Sequence, residues 1–192
     1  MVDLSIPDNS ELDRGRPIFI EALWHWIGAP IVRSTMLPFS RLKVTVLRCF
    51  GARIGKGAYL KPGIRVKFPW ALEIGDHCWI GESVWIDNLA PVLIGSHVCI
   101  SQGAYLCTGN HDWSSHNMKL FRRPILIGDQ SWVGAMTTVC PGVEVGEGAV
   151  LTAGSIAARS LEPWTIHAGN PAIAVKARRI RTAEKEIYAH TC

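Results

Sequence analysis

The chain has no uninterrupted apolar run of about 18 residues, so a membrane-spanning helix is not expected. The nearest approach, residues 18–39, is broken by Glu21, His25, Pro30, Arg33 and Pro38. The leading segment MVDLSIPDNSELDRGR is polar and lacks the apolar stretch of a secretion signal. Six cysteines occur among 192 residues, but none forms a CxxC pair and none stands at a zinc-ligand spacing. They are expected to be reduced, small apolar residues of a cytoplasmic protein. The net charge is only +4 and the basic residues form no single stripe, so nucleic acid is not an expected partner. With 48% hydrophobic and 19% charged residues the chain is not disordered.

What the chain does have is a repeat. Ile or Val is followed by Gly at Ile54-Gly55, Ile74-Gly75, Ile80-Gly81, Ile94-Gly95, Ile127-Gly128, Val133-Gly134 and Val145-Gly146. Counting in sixes gives the leaders Ile54, Leu60, Val66; Ile74, Ile80, Ile86; Ile94, Ile100, Leu106; Ile127, Val133, Val139; and Val145, Leu151, Ala157. Four residues after a leader the side chain is often small: Ala58, Cys78, Ala104, Ser131, Thr137, Ala149, Ser155. A period of six fits neither an α-helix nor a hairpin sheet. It fits a triangular coil with three short strands, each sending one aliphatic residue inward, with Gly easing the tight corners. Three hexads make a coil of 18 residues, and Ile127, Val145 and Pro163 fall at that spacing. The step from Ile94 to Ile127 is 33 residues, so a large insertion lies between Leu106 and Ile127.

This pattern, over roughly residues 50–173, resembles the hexapeptide-repeat acyltransferases. The resemblance implies an all-β protein, a left-handed parallel β-helix, against the usual right-handed crossover rule. Residues 51–173 are expected to form the helix, with a loop insertion at 109–123. Residues 1–50 are expected to be a polar arm and a helical cap of one or two helices broken at the prolines. Trp and Arg share residues 17–50, so contact with a membrane surface is a second reading of that segment. Residues 174–192, with Ile173-Ala174-Val175-Lys176 leading in, read as a short basic C-terminal helix.

The insertion opens Cys107-Thr108-Gly109-Asn110-His111-Asp112-Trp113. Long loops on rigid scaffolds often carry function. A histidine is suited to general base work near neutral pH. Acyl transfer to an alcohol needs such a base, because the hydroxyl is a poor nucleophile until its proton is removed. The oxyanion of the tetrahedral intermediate then needs a positioned N–H donor. His111 is the candidate and His116, deeper in the loop, the spare. The competing reading of His111 is a loop histidine bonded to a backbone carbonyl. His77, His97 and His167 read as turn residues at corners.

The segments Pro69–Asp76, Trp85–Val92 and Ile100–Asp112 are similar to colanic-acid-biosynthesis-type acetyltransferases, relatives of the maltose, galactoside and nodulation-factor enzymes. That resemblance implies a homotrimer with active sites between subunits, acetyl-CoA as acyl donor, a sugar or glycan acceptor and no metal. It implies His111 as the catalytic base, because that residue follows the Thr-Gly turn. It implies Trp132, Gly134, Ala135, Ala153 and Gly154 along the pantetheine channel, and Asn170 in the closing Gly169-Asn170-Pro171 turn. Many relatives carry Arg or Lys immediately after that turn's Ala172, where this chain has Ile173. Arg159, Lys176, Arg178 and Arg179 are the remaining candidates for the CoA phosphates. Asp87, Asn88 and Trp113 are candidates for the acceptor; an Asx turn is the competing reading of the first two. The expected activity is sugar O-acetylation in the cytoplasm, at the inner face of the membrane if residues 17–50 touch it. The rivals are a γ-carbonic-anhydrase-like metalloenzyme using His77, His111 and His116, an amino-sugar N-acetyltransferase on the same fold, and a non-catalytic scaffold.

Overall fold

The structure is a computed structural model that describes residues 2–5, 8, 10 and 12–180. Most of it is a parallel β-helix of about six turns. Each coil contributes one short strand to each of three sheets. Sheet 1 stacks Arg53–Ile54, Leu72–Ile74, Val92–Ile94, Ile125–Ile127 and Glu144–Val145. Sheet 2 stacks Tyr59–Leu60, Trp79–Ile80, Cys99–Ile100, Trp132–Val133, Val150–Leu151, Thr165–Gly169 and Ala172–Ala177. Sheet 3 stacks Arg65–Val66, Trp85–Asp87, Tyr105–Cys107, Thr138–Val139 and Ile156–Ala157.

The leaders counted from the sequence form the interior. Ile54, Ile74, Ile94, Ile127 and Val145 are in register up sheet 1. Leu60, Ile80, Ile100, Val133 and Leu151 line up in sheet 2. Val66, Ile86, Leu106, Val139 and Ala157 do so in sheet 3. All are buried, and each large aliphatic among them contributes about 1.5–3 kcal/mol by leaving water. The glycine after a leader serves the contact between coils. A Cβ on Gly75 would lie 2.6 Å from the backbone of Gly95 in the next coil. The left-handed corners are taken by other residues, including His77 (φ 54°) and His97 (φ 58°), whose rings stack at 5.3 Å.

The top of the helix departs from the eighteen-residue count. Val145 bridges Leu161, not Pro163, and Leu151 pairs with His167. The last coil is therefore two residues short. His167 is buried at an interior rung of sheet 2 and is not a corner residue. Residues 172–177 are a strand and not the start of a helix. They fold back antiparallel on Thr165–Gly169 and cover an open sheet edge. The remainder of the expected C-terminal helix lies outside the described residues.

The lower end is closed by helices: Ile18–Leu23, a π-helical turn at Trp24–Gly28, Ala29–Arg33, and Ser40–Cys49. Trp24, Val32, Val44 and Leu47 join the same core as Ile54 and Leu60. Pro30 does not break the first helical segment. The π-helical turn before it absorbs the wider hydrogen-bond pattern a proline needs. Pro38 lies in the break before Ser40–Cys49. Lys43 is fully buried, and its ammonium donates to the carbonyls of Val32 (2.7 Å) and Ser34 (2.9 Å), the orphan end of the preceding helix. Among the described residues no helix is long and apolar enough to cross a membrane.

Candidate active site

The insertion leaves the coil where sheet 3 turns toward sheet 1 and closes on itself as a hairpin. Gly109–His111 pairs antiparallel with Leu120–Arg122, His111 opposite Leu120. Its root is fixed by Thr108, which is fully buried. The Thr108 hydroxyl donates to the Asp87 carbonyl (3.0 Å) and accepts from Ala90 N–H (2.9 Å). The Thr108 carbonyl accepts from Arg123 N–H across the hairpin (2.8 Å). Gly109 is required by close approach, since a Cβ there would lie 2.5 Å from Leu89 Cδ1. Thr108-Gly109 is thus the hinge that sets the angle at which the next residues leave the coil.

His111 is exposed, and its Nδ1 lies 2.6 Å from the carbonyl oxygen of Met118 across the hairpin. A carbonyl oxygen only accepts, so this bond is made when Nδ1 carries the proton. In the neutral ring, Nε2 then holds the free lone pair. The carbonyl bond expected of a packing histidine is present, yet it occupies one nitrogen and orients the other. The turn beyond is held by Asp112, whose carboxylate accepts from Ser114 N–H (2.9 Å) and hydroxyl (2.5 Å). Those bonds hold the Asp112 carboxyl below the usual carboxylate range. The N-terminal arm runs beside the hairpin. Asp3 N–H donates to the His116 carbonyl (2.7 Å) and Leu120 N–H to the Asp8 carbonyl (2.9 Å). Arg122 donates to the carbonyl of Leu89 (2.8 Å) and faces the Asp13 carboxylate at 3.9 Å.

Next to the hairpin, the outer side of sheet 3 carries an aromatic stack. The Arg65 guanidinium lies 4.6 Å over Trp85, and Trp85 stacks on Tyr105 at 4.6 Å. The Tyr105 hydroxyl donates to Asp87 (3.1 Å), and Lys67 approaches the other oxygen of that carboxylate at 3.3 Å. Burial, then the neighbouring Cys107 and Asp87, push the Tyr105 phenol well above its ordinary range. Asp87 pairs in register with Cys107, four residues before His111. A groove of about 900 Å³ runs from Trp85 and Asp87 along Arg65 and Lys67 to Trp26 and Met36 of the helical cap.

The other expected residues sit elsewhere. Ala135 and Ala153–Gly154 stack on the corner between sheets 2 and 3, Gly154 N–H donating to the Ala135 carbonyl (2.8 Å). Nothing lies within 4 Å of a Cβ placed on Gly154, so that corner is open. Trp132 is 47% exposed on the outer side of sheet 2, its indole N–H donating to Ser101 (2.9 Å). In one chain the width of sheet 3, roughly 10 Å for a three-residue strand, separates this corner from the root of the His111 hairpin. Arg159, Asn170 and Lys176 are exposed near the top of the helix.

Residues 124–156 match the family model described as the hexapeptide repeat of succinyl-transferase. Over 156 residues the chain is 37% identical to the putative colanic acid biosynthesis acetyltransferase WcaF of Escherichia coli, covering 81% of this chain and 86% of that one. The chain belongs to the hexapeptide-repeat acetyltransferases. It is 29% identical to the galactoside O-acetyltransferase of Escherichia coli over 140 residues, 71% of this chain and 68% of the other. A galactoside acetyltransferase solved in complex with coenzyme A superposes with a TM-score of 0.76 at 19% identity, covering 91% of this chain and 92% of that one.

Within this acetyltransferase, three expected site residues are engaged inside the fold. Asn88 is fully buried and spends both amide ends on Phe68, accepting from its N–H (3.0 Å) and donating to its carbonyl (2.6 Å). It replaces a sheet hydrogen-bond pair and cannot reach an acceptor. Gly134 is buried against the next coil, where a Cβ would meet the Leu151 carbonyl at 2.6 Å, so close approach between coils accounts for the glycine. Arg178 is spent on the carbonyls of Gln130 (2.7 Å) and Gly148 (2.9 Å). Trp113 stands 83% exposed at the hairpin tip. His77, His111 and His116 do not converge, and among the described residues no three His, Cys, Asp or Glu side chains come together as a metal site. Sequence reasoning missed Tyr105, Trp85, Lys67 and Arg65. Their signal was the outward position of each strand in sheet 3, one residue before or after the leader.

Proposed function

We propose that this acetyltransferase moves the acetyl group of acetyl-CoA directly to a hydroxyl of a sugar, in an intermediate of surface-polysaccharide synthesis. The observation that carries the reading is the 2.6 Å contact of His111 Nδ1 with the Met118 carbonyl, which leaves the Nε2 lone pair of an exposed histidine free to act as a base. Nε2 takes the hydroxyl proton as the acceptor oxygen attacks the thioester carbonyl. The tetrahedral intermediate collapses, the C–S bond breaks, and the imidazolium returns its proton to the CoA thiolate. A base so placed contributes about 10²–10⁴-fold.

The names of the relatives support the substrates: colanic acid biosynthesis for one, galactoside O-acetylation for another, and a coenzyme A complex for the fold neighbour. Trp132, Ala135, Ala153 and Gly154 are assigned to the pantetheine arm, with Arg159 and Lys176 toward the phosphates and Asn170 in the closing turn. Asp87 and Trp113 are assigned to the acceptor. A homotrimer with active sites between subunits fits this geometry, because His111 and the small-residue corner stand at opposite ends of one sheet. In that assembly a neighbouring copy would bring its small-residue corner to the base. The five described cysteines are unpaired, which fits a cytoplasmic enzyme.

The test is to incubate purified protein with acetyl-CoA and a panel of mono- and oligosaccharides, following thiol release and product mass. A product whose acetyl group is removed by mild base is an ester and supports the proposal. An acetyl group that survives is an amide and makes the enzyme an amino-sugar N-acetyltransferase.

A further inference from the structure

The helical segment from Ile18 to Arg33 buries one narrow line of residues, Trp24, Gly28 and Val32, spaced by four. Its other side is apolar as well. Phe19 (66%), Leu23 (46%), Trp26 (76%) and Ile27 (53%) are exposed, and Met36 beyond the helix end is 90% exposed. A helix that exposes a second apolar face besides its buried line is ordinarily covered there too, and a contiguous patch of this kind marks a docking surface.

The charges around the patch say what covers it. Of the four Lys or Arg in residues 17–50, Lys43 is buried on carbonyls and Arg48 donates to the carbonyls of Ile54 and Gly55, which leaves Arg33 and Arg41 as exposed cations beside a single acid, Glu21. Glu21 is already paired with Arg14 at 2.6 Å. Arg33 is exposed, lies on the groove shared with Trp26 and Met36, and has no ion-pair partner among the described residues. A symmetric contact between copies of this face would set cations against cations with no acid to answer them. A surface of anionic headgroups supplies the counter-charge, and the aromatic and aliphatic side chains enter the acyl boundary beneath it.

We propose that this face docks the enzyme on an anionic lipid bilayer. Phe19, Leu23, Trp26, Ile27 and Met36 form the inserting surface and Arg33 the headgroup contact. Because Trp26 and Met36 also line the groove that leads to Trp85 and Asp87, docking sets the mouth of that groove at the bilayer surface. The inference does not depend on the identity of the acetyl acceptor.

The test is co-sedimentation of the full chain with vesicles of phosphatidylcholine alone and of phosphatidylcholine mixed with phosphatidylglycerol. The wild type is expected to pellet with the anionic vesicles, less so at high salt. The double variant Phe19→Glu, Ile27→Glu alters residues away from the groove and should bind the anionic vesicles at least about tenfold more weakly. Its melting curve, CoA binding and sedimentation coefficient in solution should match the wild type. Arg33→Glu, which disturbs no packing, should lose the preference for anionic over neutral vesicles and keeps the test open if the double variant does not fold. Wild type that stays in the supernatant with every vesicle overturns the proposal. So does a folded double variant that still binds, or one that dissociates into smaller species, which would make this face an interface between copies.

Discussion

His111 Nδ1 and the carbonyl oxygen of Met118 meet at 2.6 Å across the two strands of the inserted hairpin. One bond to the backbone thereby does two things. It fixes the plane of the imidazole, and it assigns the proton to the nitrogen that faces the protein. The hairpin itself is set by Thr108 and Gly109, which anchor it to the corner beside Asp87 and Leu89.

If Gly109 sets the angle of the hairpin by close approach, crowding it should misplace His111. Gly109→Ala puts a Cβ against the end of the Leu89 side chain, which must shift. The expected result is a fall in kcat of about 10–100-fold, the order caused by misplacing a base by an ångström. Gly109→Ala combined with Leu89→Ala should recover most of it. Steady-state kinetics on the three variants decides this; equal losses in the single and double variants would contradict it.

Tyr105 keeps its proton in the fold beyond the ordinary tyrosine range, chiefly through burial. Above pH about 10 the unfolded chain releases that proton while the folded chain keeps it, so stability falls as pH rises. Tyr105→Phe removes this linkage. Its Tm should decline less steeply than that of the wild type across the alkaline range, as measured by calorimetry. An unchanged slope would mean that the phenol ionises freely.

Lys43 is a buried cation whose ammonium donates to two carbonyls, and burial lowers its pKa. Lys43→Met keeps the stem and leaves the carbonyls of Val32 and Ser34 without that donor. The expected cost is about 1–3 kcal/mol, seen as a Tm lower by roughly 2–12 °C for a chain of this size. A Tm equal to that of the wild type would show that the ammonium contributes nothing net.

The interior was legible because a stack of identical positions imposes a strict period. All fifteen leaders counted from Ile54 to Ala157 face inward. The place of His111 at the root of the excursion was legible for the same reason, since an insertion between Leu106 and Ile127 had to leave the coil beside it. The count failed at Pro163, where the last coil shortens and Leu161 takes the rung. Residues 174–177 were misread because the basic residues Lys176, Arg178 and Arg179 suggested a solvated helix. The open edge of Thr165–Gly169, invisible in a local window, pairs with them as a strand. Asn88 looked like a surface turn residue, and nothing in its neighbours shows that Phe68, twenty residues earlier, uses both ends of its amide. The Asp87–Tyr105 contact joins neighbouring coils, and a hexad count locates its strands without naming the pair.

The most direct measurement is thiol release at saturating acetyl-CoA and acceptor by wild type and His111→Ala, with CoA binding measured on both. The account predicts a kcat lower by about 10²–10⁴-fold with unchanged affinity for CoA. A variant that turns over at the wild-type rate, or that loses CoA binding together with turnover, would contradict the assignment of His111 as the base.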